Sequence, residues 1–479
     1  MKNILYTLLL ALVVVGCDDR LDDLNTDKKN PASVDPQSLF ANATREIVDN
    51  MVSMSVNDNP FRLYSQQWAQ TTYPDESQYN MTTREIPYNF FVNQYRDVLV
   101  NLNESKMLIQ TQLDEGTSSA SDATLANRMA IIDVLMGYTY ITLVDAFGNV
   151  PYSQALNPDE YSFPAYDDAR TIYDGVDATL ATASATLANG EGDGFDADLV
   201  YGGDAEAWGV FANSLRLRMA MRLADVDAAT SVSRANAAMA AGVISSNADN
   251  FSMAYQSTSP NSSPLHEDLV LSGRADFVAA NTLVDYMNSL DDPRRAVYFR
   301  QNLGDGVYSG GIYGTANSYS GSTQVGDILH QPETPGVLMN YAEMHFLMAE
   351  MAERGGYNVT GSAADHFNAG VEASFDQWEV DGGAAFAASL GYAGGSTWKQ
   401  EIGTQMWVAL YNQGFEAWNS WKRLDFTGFN APPGMTLSDI PVRLLYPDRE
   451  ATLNGDALAA AQSAIGGDEM TTRVFWDAN

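Results

Sequence analysis

Apolar residues recur at three-, four- and seven-residue spacings along several long stretches of the chain. From Leu125 to Phe147 the positions Met129, Ile132, Met136, Leu143 and Phe147 share one helical face, and Gly148-Asn149-Val150-Pro151 stops the helix. Ala207 to Ala224 repeats the pattern with Trp208, Phe211, Leu215, Met219 and Leu223, leaving Arg216, Arg218 and Arg222 on its other faces. Asn340 to Arg354 does so through Tyr341, Met344, Met348 and Met351, and Gln405 to Leu424 through Trp407, Leu410, Tyr411, Phe415, Trp418 and Trp421. These stripes read as core packing in a mainly α protein. Small residues set among large ones (Gly137, Ala146, Ala342, Ala349, Ala352) allow close helix pairs of tetratricopeptide type, although no strict repeat of about 34 residues is visible.

From Ser245 to Gly336 the texture changes to Ser, Asn, Gly, Asp and Pro, with loops such as Gly304 to Gly314 and Tyr319 to Ser322. Irregular stretches of this length within a compact protein commonly carry function, so this segment is expected to face a ligand or partner.

The 479 residues carry 26 Lys plus Arg against 61 Asp plus Glu, a net charge of −35. Nucleic-acid binding needs a basic footprint, so that class is excluded. With 45% hydrophobic residues and 18% charged ones, the chain is globular and not disordered. The single cysteine, Cys17, leaves no internal disulfide and no cysteine-based metal cluster. It ends a short segment with Lys2 at its start, the apolar run Ile4 to Val15, and a lipobox-like Val14-Val15-Gly16-Cys17. That run falls short of the roughly 20 residues a membrane-spanning helix needs. Residues 1–16 therefore read as a cleaved lipoprotein signal and Cys17 as the lipidated residue, with 17–36 an acidic tether. Residues 37–479 form one helical domain with the loop-rich insertion at about 245–336. No later segment reads as apolar enough to span a membrane, which leaves the lipid as the only anchor.

Sugar rings stack their C–H faces on aromatics and need polar partners for their hydroxyls. Two stretches offer both. The first holds Trp68, Tyr73, Tyr79, Arg84 and Tyr88 amid Gln67, Gln70, Asp75, Glu76, Gln78 and Asn80; the second holds Tyr308, Tyr313 and Tyr319 with Asn317. The candidate ligand-binding residues are thus Trp68, Tyr73, Tyr79, Arg84, Tyr308, Tyr313 and Tyr319, the alternative being that these aromatics pack beneath the loops. Tyr392 and Trp398 form a poorer third candidate. Glu191-Gly192-Asp193-Gly194-Phe195-Asp196-Ala197-Asp198 could offer oxygens to calcium, but its spacing does not match an EF-hand and a solvated acidic turn is the ordinary reading. No other metal and no cofactor is implied. The histidines, His266, His330, His345 and His366, are scattered, and Ser396-Thr397-Trp398-Lys399 lacks the partner motifs of an acyl enzyme. No catalytic residue is assigned; paired carboxylates for glycoside hydrolysis remain the enzymatic alternative.

Several segments together resemble the SusD/RagB-like outer-membrane lipoproteins of Bacteroidetes. They are Cys17 to Asp23, Met136 to Tyr140, Leu143 to Tyr152, Asp198 to Asp204 leading into Trp208, Ala212 to Ala220, Tyr341 to Glu350, Gly414 to Asp425 and Arg473 to Asp477. The Asn213 to Arg222 and Arg473 to Asp477 stretches look most like the second branch of the family. The resemblance implies tetratricopeptide-like helix pairs supporting a loop-rich ligand face with few short strands. It also implies a surface-exposed, non-enzymatic lid that captures an oligosaccharide, or a peptide in the RagB type, for a SusC-like TonB-dependent β-barrel transporter. Acidic residues directly behind Cys17 resemble a surface-export signal, and the expected location is the outer membrane, facing outward.

Overall fold

The computed structural model describes residues 34–478. The signal, Cys17 and nearly all of the tether lie outside the described residues. Helices are set by local capping as well as by apolar stripes. Asp35 opens α1 (Pro36–Val52), its side chain accepting from the Gln37 amide. Ser121 opens α3 (Asp122–Phe147), Asp168 opens α4 (Ala169–Leu187), Asp204 opens α5 (Ala205–Arg222) and Asp227 opens α6 (Ala228–Ala241) in the same way. Some of the acid excess therefore serves helix N-termini, where a carboxylate meets unpaired amides and the positive end of the dipole. Between α1 and α3, α2 (Val100–Glu115) continues a helical run that begins at Ile86 and passes through a π-helical segment, Asn93–Leu99.

These helices pack in sequence order, α1 on α2 and onward to α6. The α3–α4 approach depends on Gly137, where a Cβ would lie 3.1 Å from Leu180 Cδ2 and 3.2 Å from Val176 Cγ1. After the loop-rich segment, which contains α7 (Asn281–Ser289), come α8 (Tyr341–Arg354), α9 (Ala363–Gln377), α10 (Gly383–Leu390), α11 (Trp398–Ala409), α12 (Gly414–Leu424) and α13 (Gly455–Ala464). Here α8 packs on α9 and α11, α9 on α10, and α11 on α12. Among the described residues the strands are short and form three antiparallel ribbons: β1 (Trp68–Gln70) with β5 (Phe277–Ala279), β2 (Val150–Pro151) with β3 (Tyr166–Asp167), and β4 (Phe251–Met253) with β6 (Gly336–Met339). Paired helices with few short strands match the expected class.

Two expectations are corrected. The stripe from Gln405 to Leu424 predicts one helix, but the chain breaks between α11 and α12. Asn412 is left-handed there, with φ 70°, and its Oδ1 accepts from Arg62 Nε at 2.9 Å and Nη2 at 2.8 Å. Both halves are buried on most sides, so the apolar pattern runs across the break without showing it. Secondly, α3 is long and apolar enough to cross a membrane, but its apolar window is 89% buried within the fold, as a core helix would be.

A buried charge network joins the two halves. Arg222 on α5 donates to Asp145 on α3 and, at 2.5 Å, to Glu416 on α12. Arg218 grips Glu343 of α8 through two 2.6 Å bonds, and Arg423 of α12 meets Glu350 of α8 at 2.5 Å. Tyr173 of α4 and Trp476 near the C-terminus also donate to Asp145. Burial alone would pull the Arg222 guanidinium down, but the charges of Asp145 and Glu416 outweigh it and hold the group well above the usual arginine range. Lys422 is held differently. Its Nζ donates to the Asp145 carbonyl at 3.1 Å and lies 3.8 Å from the Trp418 ring centroid. Burial drives it down to about 7 in spite of Asp145 and Asp477 nearby.

Arg222→Met should cost about 3–5 kcal/mol in urea denaturation, because it strips the buried Asp145 carboxylate of its paired cation and leaves Glu416 with Arg218 at 3.6 Å. Lys422 binds its proton more tightly in the unfolded chain than in the folded one, so it imposes a cost on the fold that is full below about pH 7 and fades as the pH rises toward the ordinary lysine value of about 10.5. Lys422→Met should flatten that slope in melts recorded across the same range.

Candidate functional site

The two aromatic stretches meet on one face, organised by the β1–β5 ribbon. Its register places Trp68 opposite Ala279, Ala69 opposite Val278 and Gln70 opposite Phe277. The chain at 309–323 adds to the free edge of β5: Gly311 N donates to Ala279 O at 2.8 Å, Ala279 N to Thr323 O at 2.9 Å, and Thr323 N to Ser309 O at 2.8 Å. Glycine is required in this crossing. A Cβ on Gly311 would fall 2.6 Å from Val278 Cγ2, and one on Gly310 would fall 2.5 Å from the Asn281 backbone.

Alternation along the ribbon decides which aromatics reach solvent. Trp68 turns toward the core, where its Nε1 donates to Tyr411 Oη at 3.2 Å and its ring lies near Phe277. Ala69 and Val278 point to the opposite side, and Tyr319 packs over them half-exposed. Beyond β1 the chain turns through Tyr73, left-handed with φ 50° and 66% exposed, and its carbonyl accepts from Gln70 Nε2 at 3.0 Å. Ile312 stands 61% exposed on the facing loop.

The amides act as clamps. Asn317 Nδ2 donates to the carbonyls of Gln70, Ile312 and Thr315 at 2.9–3.0 Å, and its Oδ1 accepts from Ile312 N at 2.8 Å. Gln78 Nε2 donates to Gly314 O at 2.9 Å, tying the first stretch to the second. Glu76 is buried and accepts from Gln70 Nε2 at 2.6 Å and Arg84 Nε at 2.5 Å.

The structure revises three of the seven candidates. Trp68, Tyr79 and Tyr313 are buried and cannot stack on a ligand from their present positions. Tyr79 and Tyr313 pack against each other beneath the loops, with ring centroids 6.4 Å apart, and burial pushes the Tyr79 hydroxyl up to about 12. Tyr73 is exposed, and Tyr308, Tyr319 and Arg84 are half-buried at the surface. Arg84 is engaged with Glu76, and Tyr308 lies under the Arg295 guanidinium, 5.5 Å from its ring centroid. Sequence reading missed Ile312, because a lone aliphatic between glycines carries no periodic signal. Tyr392 and Trp398 belong elsewhere: the former stacks on Phe367, and Arg354 lies over the latter. In the acidic loop, Asp198 turns inward to accept from Trp208 Nε1 at 2.8 Å and Gly203 N at 3.0 Å, while Asp196 pairs with Arg128. Among the described residues, no group of three or more His, Cys, Asp or Glu side chains is arranged to hold a metal ion.

Residues 28–447 match the family model SusD-like, described as starch-binding associating with outer membrane. No curated protein matches the chain. Among solved structures, a chitin-binding protein is 25% identical with a TM-score of 0.80, the match covering 93% of this chain and all of that one. A chitin-binding SusD homologue from Flavobacterium johnsoniae is also 25% identical, with a TM-score of 0.76 over 93% of this chain and 99% of its own. A SusD homologue from Bacteroides uniformis, 24% identical over 92% of this chain and 99% of its own, shares the fold with a TM-score of 0.75.

Asn317→Ala removes the clamp between the loop and β1. Hydrogen-exchange mass spectrometry should then show lost protection across 309–323, with a stability change of about 1–3 kcal/mol and little change in the helical body.

Proposed function

The chain belongs to the SusD-like family of outer-membrane-associated proteins, and from that premise we propose that it is a surface-exposed lipoprotein that captures an oligosaccharide and hands it to a SusC-like TonB-dependent barrel. In this reading residues 1–16 direct export, Cys17 carries the lipid, and the tether 17–36 lets the folded domain stand over the transporter. The observation that carries the ligand assignment is the exposure of Tyr73, Tyr319 and Ile312 on neighbouring segments that Asn317 and Gln78 tie together. Aromatic and aliphatic surface suits the C–H faces of sugar rings, and neighbouring backbone and amide groups suit the hydroxyls. Two solved relatives are named as chitin-binding, which makes β-linked N-acetylglucosamine oligomers the first class to test, with starch fragments second.

Capture here breaks no bond. What supports this is that two of the nearby acids are engaged: Glu76 with Arg84 and Gln70, and Asp276 with Arg274. A paired acid and base for glycoside hydrolysis needs two carboxyls about 5–9 Å apart across a sugar-sized gap, with one of them free to give up a proton. Preformed loops and few anchoring rings favour an affinity of roughly micromolar or weaker, which suits a ligand that must be released. The overall negative charge disfavours anionic polysaccharides.

Calorimetry with chito- and malto-oligosaccharides, followed by mass spectrometry of the recovered ligand, tests the reading. One class should bind and return intact, and Tyr73→Ala and Tyr319→Ala should each weaken it by about 3- to 10-fold. Binding by a mixed peptide digest alone would replace the ligand with peptide, and shortened products would overturn capture without cleavage.

A further inference from the structure

Two Asn–Gly steps occur in the chain, Asn189–Gly190 and Asn454–Gly455, and the fold treats them oppositely. Such a step carries its own chemistry. The glycine amide nitrogen, with no Cβ beside it to shield it, is one bond short of a five-membered ring with the asparagine side-chain carbon. Closing that ring needs a glycine N–H not held by an acceptor, a side-chain amide not locked in another direction, and access for water.

Asn454 fails on the second and third. It is only 8% exposed and its Nδ2 donates to Pro164 O at 2.8 Å. Its carbonyl also accepts from Leu458 N at 3.0 Å, which fixes it at the start of α13 with Gly455 as the first helical residue.

Asn189 meets all three. It is exposed in the turn that follows α4, and among the described residues neither its side-chain amide nor Gly190 N makes a hydrogen bond. Gly190 is exposed and left-handed, with φ 68°, and nothing stands within 4 Å of the place a Cβ would take. The turn is a joint between two fixed parts. On one side, α4 ends in a long 3.3 Å bond from Asn189 N to Thr186 O. On the other, Asn127 Nδ2 of α3 pins the carbonyls of Glu191 and Gly192 at 2.9 Å each. An exposed turn of this kind opens at little cost, whereas a bonded, buried side chain must first be released.

We propose that Asn189 is a modification site at which the folded chain converts its own amide to an acid without an enzyme. Gly190 N gives its proton to solvent and attacks Asn189 Cγ; the new C–N bond forms as the Cγ–Nδ2 bond breaks, and Nδ2 leaves as ammonia. One water then opens the succinimide at either carbonyl, giving aspartate or isoaspartate, in which the main chain runs through the former side chain. The sum is amide plus water giving carboxylate plus ammonium. Either product puts a carboxylate just past the C-terminal end of α4, where the helix dipole disfavours it, and just ahead of Glu191 and Asp193. The assignment is independent of ligand capture at the loop face.

The test is a time course of the purified, folded protein in warm, mildly alkaline buffer, followed by peptide mapping with mass spectrometry. The peptide holding Asn189–Gly190 should take on the mass of the acid and split into aspartyl and isoaspartyl forms, about tenfold faster than the peptide holding Asn454–Gly455. In urea-unfolded chain the two rates should converge, which assigns the difference to the fold. Gly190→Pro removes the attacking N–H and should stop the conversion. An unchanged Asn189 peptide, equal rates in the folded protein, a gap that persists in urea, or conversion that continues in Gly190→Pro would overturn the assignment.

Discussion

The Arg222 side chain, clasped between Asp145 and Glu416, is the interaction on which the rest of the molecule leans. Taking one cation and two carboxylates out of water is costly, and only close pairing with added hydrogen bonds offsets it. Here Tyr173 and Trp476 complete the shell of Asp145, while Arg218 and Arg423 tie α5 and α12 to α8. Helices α3, α4, α5, α8 and α12 and the C-terminal segment are thereby fixed by one set of charges. A helix that slid by one turn would strand a buried ion, so the network specifies register as well as holding the halves together.

That rigid frame explains how a loop-rich face can stay ordered with so little sheet. The β1–β5 ribbon has three residues on each strand, too short to be stable alone. It is held from below by Trp68 bonded to Tyr411, and Tyr411 in turn stacks on Tyr298 at 4.1 Å. From above it is held by the Gly310–Gly311 crossing and the Asn317 clamp. Aromatics that could have met a ligand instead transmit the stiffness of the helical body to the surface, leaving Tyr73, Tyr319 and Ile312 to face outward.

Much of the helical frame was legible along the chain. The stripes through Met129 to Phe147 and Trp208 to Leu223 appear as α3 and α5, and Gly137 sits at the close approach to Leu180 that its small size suggested. Asp and Ser at helix starts follow from local hydrogen bonding. The break at Asn412 was not legible, since its cause is Arg62, 350 residues away in sequence. Nor was the fate of Trp68, since a one-residue change of register along β1 would exchange it with Ala69 between the main core and the small cluster beneath Tyr319.

The sequence by itself determined the helical class, the family and the segments that carry the aromatic clusters, because periodicity, composition and ordered motifs are properties of the chain. Tertiary structure alone decided that the stretches around Tyr73 and Tyr319 share one face, and that Trp68, Tyr79 and Tyr313 lie beneath it. Each of these depends on which residues distant in the chain arrive side by side, and composition, spacing and pattern are silent about that.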